Sequence, residues 1–180
     1  ANDLHLGIQM PSIWYQVGLH APGWEVAGFS FAGAPGVIIG HNDRIAWGVT
    51  NLPSDVQDLL IEKVNPDNPH QYEFMGEWLE MNLFEEVIKV NGGEDVVVAV
   101  RETVHGPIIS DALDDESLSD VLAMRWTAAT EPARIFQSVL LLNQAQDFQD
   151  VHEALRYWDI AAQNFVYADV DGNIGYFAPG

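Results

Sequence analysis

The sequence predicts an α+β fold dominated by antiparallel sheet, and three observations lead there. Short β-branched and aromatic runs, separated by turn residues, recur as far as residue 127. Two stretches with helical spacing follow one another between residues 132 and 158. A final pair of apolar runs is joined by Asp171-Gly172. Strands grouped before helices, rather than alternating with them, exclude a parallel doubly wound sheet.

The elements follow in order. The first sixty residues are rich in Gly, Pro and aromatics, with short apolar runs. Val37-Ile38-Ile39 and Ile45-Ala46-Trp47 flank the polar His41-Asn42-Asp43-Arg44, which predicts a β-hairpin with a four-residue connection. Val56 to Val64 is a further strand. A β-meander comes next. Tyr72-Glu73-Phe74 runs into Gly76 and Trp78, and Glu85 to Val90 turns at Asn91-Gly92-Gly93 into the valine-rich Asp95 to Val104. Asp111 to Asp120 is acidic and poor in apolar residues, as an exposed loop would be, and Val121 to Thr127 is a strand. Pro132 to Ala145 carries Ile135, Val139 and Leu142 on one helical stripe, with Pro132 suited to the first turn. Phe148 to Trp158 is a second helix, with Val151, Leu155 and Trp158 aligned. Asn164 to Asp169 and Ile174 to Phe177 close the chain as strands. All 180 residues are read as a single fragment.

Composition narrows the function. Seven basic residues against 27 acidic give a net charge of −20, which opposes nucleic acid and anionic membrane surfaces. No apolar run approaches the ~20 residues of a membrane-spanning helix. No stretch combines the basic start, apolar run and cleavage site of a signal peptide. The absence of cysteine removes thiol nucleophiles and thiolate metal sites.

Local motifs alone stop short of an activity. There is no Gly-x-Ser-x-Gly elbow and no His-Glu-x-x-His helix. His105, in Thr103-Val104-His105-Gly106-Pro107, sits at a strand end before a turn, where a structural hydrogen bond is the favoured role. Asp55 and Asp58, three residues apart, could share a hard cation.

Gly36-Val37-Ile38-Ile39-Gly40-His41-Asn42-Asp43-Arg44-Ile45-Ala46-Trp47-Gly48-Val49-Thr50-Asn51 adds what composition cannot. This segment resembles the signature of the penicillin acylase family of N-terminal-nucleophile hydrolases. Ala1 to Leu6, Val104-His105-Gly106-Pro107 and Tyr167 to Tyr176 match the same family, in the same order.

The resemblance implies that the chain is an early β-subunit fragment and part of an αββα sandwich. The parent would cleave itself into α and β subunits and hydrolyse a linear amide with the hydroxyl of an N-terminal Ser. That Ser is expected roughly eighteen residues before Ala1, so the fragment alone is expected to be inactive. Asn51 takes the position whose backbone N–H helps form the oxyanion hole. His5 takes a position beside the nucleophile, as in cephalosporin and acyl-homoserine-lactone acylases. Leu6, Ile39, Val49 and Gln163 fall at substrate-binding positions, and the aliphatic side chains among them favour an alkyl acyl group over phenylacetyl. Asp55, Asp58 and the carbonyl of Gln57 match ligands of a calcium ion whose other ligands lie elsewhere in the parent. The expected partners are the α subunit, the rest of the β subunit and a small amide substrate; the expected location is the periplasm or outside the cell. The rival is a calcium-steadied, β-rich binding module, which exposed Trp14, Trp24, Trp47 or Trp78 would support.

Overall fold

The computed structural model describes residues 2, 6–113, 119–129 and 133–180. In chain order the first strands are β1 (Trp14–Ala21), β2 (Trp24–Phe31), β3 (Ile39–Asn42) and β4 (Ile45–Asn51). Next come β5 (Gln57–Glu62), β6 (Val64–Asn65), β7 (Asn68–Phe74), β8 (Glu77–Glu80), β9 (Asn82–Ile88), β10 (Val96–Thr103), β11 (Gly106–Pro107) and β12 (Val121–Trp126). Helices α1 (Ile135–Gln144) and α2 (Phe148–Leu155) precede β13 (Gln163–Asp169) and β14 (Ile174–Phe177). The class is α+β, and every strand pairing is antiparallel.

The chain divides into two compact units: Ala1–Ser54 with Glu131–Gly180, and Asp55–Thr130. The first unit holds a six-stranded sheet in the order β1-β2-β3-β4-β13-β14. The pleat sends alternate side chains to opposite faces. Ile45, Trp47 and Val49 of β4 and Phe165 and Tyr167 of β13 therefore share one face, where Val139 and Leu142 of α1 and Val151 and Leu155 of α2 complete the core. The opposite face leaves Val166, Ile174 and Tyr176 exposed.

Asn42 fixes the join between sheet and helix. Its Oδ1 accepts from the N–H of Arg44 and of Ile45 at 2.9 and 2.8 Å. Its Nδ2 donates to the carbonyls of Asn143 and Ala145 at the end of α1. Helix ends leave carbonyls without intrahelical donors, and Asn42 supplies one. The two hydrogen bonds to Oδ1 also tighten the turn, so the connection is Asp43-Arg44, two residues rather than the predicted four.

Three other expectations shift. The helix expected from Pro132 begins at Ile135; Pro132 lies outside the described residues. The second helix ends at Leu155, and Trp158 follows in a turn, its N–H donating to the carbonyl of Leu155. Within the expected acidic loop, Ile109–Ala112 forms a 3-10 turn, and residues 114–118 lie outside the described set. β1 and β2 form a hairpin that the sequence reading left unassigned.

The second unit contains three small sheets, ordered β11-β10-β9, β12-β5 and β6-β7-β8. Glu62 is buried there with two partners: Thr103 donates its hydroxyl at 2.6 Å, and His105 Nδ1 lies 2.8 Å away. His105 thus has the structural hydrogen bond its position suggested.

Candidate active site

The site builds from the edge of β4. Leu52 N–H donates to Ala162 O, whereas Gln163 N–H turns the other way, to Pro179 O. In an antiparallel ladder, hydrogen-bonded and non-bonded pairs alternate. The facing pair Asn51 and Gln163 is therefore non-bonded, and the N–H of Asn51 points away from β13. The Val49 carbonyl points the same way, and Asn2 Nδ2 donates to it at 2.9 Å. β3 pairs with β4 only at Gly40–Trp47 and His41–Ala46, so its ladder stops short of Asn51. Gly48 leaves room for Asn2: a Cβ there would sit 2.5 Å from Asn2 Oδ1. Asn164 Nδ2 donates to the Asn51 carbonyl at 3.1 Å.

Beside this edge lies a cavity of about 630 Å³. Leu6, Val49, Asn51 and Gln163 all line it. Val49 and Asn51 share a face of β4 by the two-residue period, and Gln163 stands opposite Asn51, so two amides meet the apolar wall at one end. Ile39 is not in the lining; it is 6% exposed in the core, and Ile38 takes that place. His5 falls outside the described residues. Four aromatic side chains, Trp14, Phe31, Phe136 and Trp158, form part of the wall. Sequence reasoning did not mark these as site residues. Phe136 offered a signal, since it falls beside the stripe of Ile135, Val139 and Leu142 and remains 53% exposed. A mostly apolar cavity with a few convergent polar groups is the usual form of a small-molecule site.

The proposed cation ligands belong to the second unit. Asp55 and Asp58 are exposed. Thr127 N–H donates to Val56 O, so by the same alternation the Gln57 carbonyl faces the open edge of β5. Three donor groups fall short of the ~6–8 oxygens calcium takes. Among the described residues no group of three or more His, Asp or Glu could hold a metal.

The tryptophans do not form a binding strip. Trp47 is 5% exposed and donates its indole N–H to Ile38 O at 2.8 Å. Trp14 and Trp24 pack against the same core, and of the four only Trp78 is exposed. No described helix is long and apolar enough to cross a membrane.

Comparison with known proteins gives the family. The family model described as penicillin amidase matches residues 1–180. The acyl-homoserine lactone acylase QuiP of Pseudomonas aeruginosa is 29% identical over 100% of this chain and 22% of its own length. The penicillin G acylase of Escherichia coli is 30% identical over 99% of this chain and 21% of its own. Among solved structures, the thermostable penicillin G acylase from Alcaligenes faecalis superposes with a TM-score of 0.85 at 31% identity, covering 99% of this chain and 32% of that one. The chain thus spans about a fifth of the length of these curated relatives.

Proposed function

The chain belongs to the penicillin amidase family, and from that premise we propose that it forms part of a larger acylase that hydrolyses a linear amide. The single observation that carries this is Asn51, which the register leaves with its N–H turned from β13 and which also lines the apolar cavity.

A Ser hydroxyl from outside these residues adds to the amide carbonyl, and the free α-amino group of the same Ser accepts its proton. The Asn51 N–H donates to the oxygen that becomes negative, in a place where a fixed donor needs no reorganisation. The C–N bond breaks, the amine leaves with the proton, and the acyl group remains as an ester on Ser. Water then attacks the ester and releases the acid. Through both steps the acyl group rests in the cavity, with Leu6, Val49 and the aromatic wall excluding water. By the family resemblance, His5 is assigned to tuning the nucleophile's α-amino group or hydroxyl. Asn51 and Gln163 meet the polar end of the substrate.

Candidate substrates are the side-chain amide of a β-lactam and the amide of an N-acyl homoserine lactone. Leu6, Ile38 and Val49 suit an alkyl acyl chain, and the four aromatic side chains also accept a flat group. Asp55, Asp58 and the Gln57 carbonyl enter only as part of a shared calcium shell that the rest of the protein completes. No catalytic step is drawn through it. Self-cleavage and export to the periplasm belong to the same proposal, as does inactivity of these 180 residues alone.

The test is hydrolysis by the full-length protein, with acyl-homoserine lactones and penicillins assayed in parallel. Release of the acid from either class is expected, and replacing the N-terminal Ser should abolish both self-cleavage and turnover. Self-cleavage that survives the replacement would refute the mechanism.

A further inference from the structure

The ribbon of β9 and β10 carries apolar side chains on both faces and is largely exposed, with β10 half-buried only at Val98 and from Val100 to Glu102. Its register places Val97 opposite Val87 and Arg101 opposite Leu83 on one face, and Val96 opposite Ile88 and Val100 opposite Phe84 on the other. Val87 and Val97 are 49% and 55% exposed, and Ile88 and Val96 are 54% and 50% exposed. A ribbon with one wet face alternates polar and apolar residues; a strand covered on both faces reads as a continuous apolar run. Val96 to Val100 is such a run. A lone two-stranded hairpin is marginal in water, and β11 reaches β10 at one end, at Glu102 and Thr103, with Ile108 N–H adding a bond to Arg101 O.

We propose that polypeptide of the same protein lying outside these 180 residues clasps the β9–β10 ribbon on both faces. This rests on the reading of the chain as part of a larger acylase. Two observations choose that occupant. The chain covers 22% and 21% of two curated relatives and 32% of the matched structure, so most of such a protein is available to cover the ribbon. A second copy fits poorly, because Glu85, Glu86, Glu94 and Asp95 give the ribbon the same sign as the net charge of −20. The clasping surface is apolar and carries basic side chains toward Glu85 and Glu86.

The experiment uses the full-length protein with Val97→Cys or Ile88→Cys, one on each face. Maleimide labelling is followed peptide by peptide in native buffer and in guanidinium. Both positions should label at least about tenfold more slowly in the native protein, at every protein concentration. Native labelling within about twofold of the denatured rate, on either face, overturns the clasp. Protection that disappears on dilution assigns the cover to a second copy and overturns it as well. If neither variant folds, hydrogen exchange of the unsubstituted protein at Val96 to Arg101 decides, with slow exchange expected and rapid exchange contrary. Amide hydrolysis is measured on the same preparation. Turnover with fast labelling sinks the clasp and spares the function; protection without turnover does the reverse.

Discussion

Asn143 imitates a strand. Its Oδ1 accepts from the N–H of Val37 at 2.7 Å, and its Nδ2 donates to the Val37 carbonyl at 2.6 Å, all in the buried interior. Removing it leaves two main-chain groups without partners, and each buried orphan costs about 1–3 kcal/mol. Asn143→Ala should therefore destabilise the protein by about 3 kcal/mol, seen as a lower urea midpoint. Gly36 belongs to the same cluster: its φ is +83°, and a Cβ there would sit 2.8 Å from Asn143 Oδ1. Gly48 makes a different demand. In Gly48→Ala the new methyl displaces the end of the Asn2 side chain, and the Val49 carbonyl loses its donor. Stability should change by no more than about 1 kcal/mol, while turnover of the full-length enzyme falls, because Asn2 holds the chain beside the Asn51 edge. Equal turnover in the variant and the unsubstituted enzyme would contradict that role. These glycines stood in the signature segment from the start. The sequence could not say that Gly36 is crowded by Asn143 of α1 and Gly48 by Asn2.

The β13–β14 hairpin depends on Asp169. Its carboxylate accepts from Asn173 Nδ2 and the Tyr167 hydroxyl, and from the N–H of Asp171 and Asn173. These donors, Asn173 first, hold the carboxyl at about 2, below its ordinary value near 3.8. Burial, followed by the bond to Asp169, raises the Tyr167 hydroxyl well above its usual range. The depressed carboxyl binds fewer protons folded than unfolded. Its stabilisation is therefore complete above about pH 4 and is lost as pH falls toward 2. Asp169→Asn should flatten that acid limb of urea midpoint against pH, and an unchanged limb would count against it. At α2, Asp147 accepts from Asp150 N–H as a cap, and Asp147→Ala should lower stability by about 1 kcal/mol. Both helices and the last hairpin were readable because their periodicity and turn residues are local. β1 and β2 were not, although Pro22-Gly23 marks their turn, with Gly23 at φ +77°. Their aromatic residues do not alternate cleanly, because Trp14 and Trp24 are only partly covered. The cavity was half legible. The signature segment pointed to Val49 and Asn51, but its aromatic wall comes from β1, β2, α1 and the turn after α2, which only the tertiary fold unites.

At the scale of the whole chain, the excess of 27 acidic over seven basic residues is the dominant electrostatic fact. Self-repulsion of that size opposes the compact state and is screened as ionic strength rises. The thermal midpoint should increase between dilute buffer and ~0.15 M salt, where the Debye length shortens to about 8 Å. A midpoint indifferent to salt would place balancing cations in the remainder of the protein.

The order β4–β13 within the sheet also sets a timetable for synthesis. Asn51 leaves the ribosome 113 residues before Asn164, the residue that grips its carbonyl. At ~5–20 residues per second, that is a wait of roughly 6–23 s. Throughout it one border of β4 has no neighbour while a complete second unit is translated. The nascent polypeptide is therefore most vulnerable to mispairing before the last strands emerge.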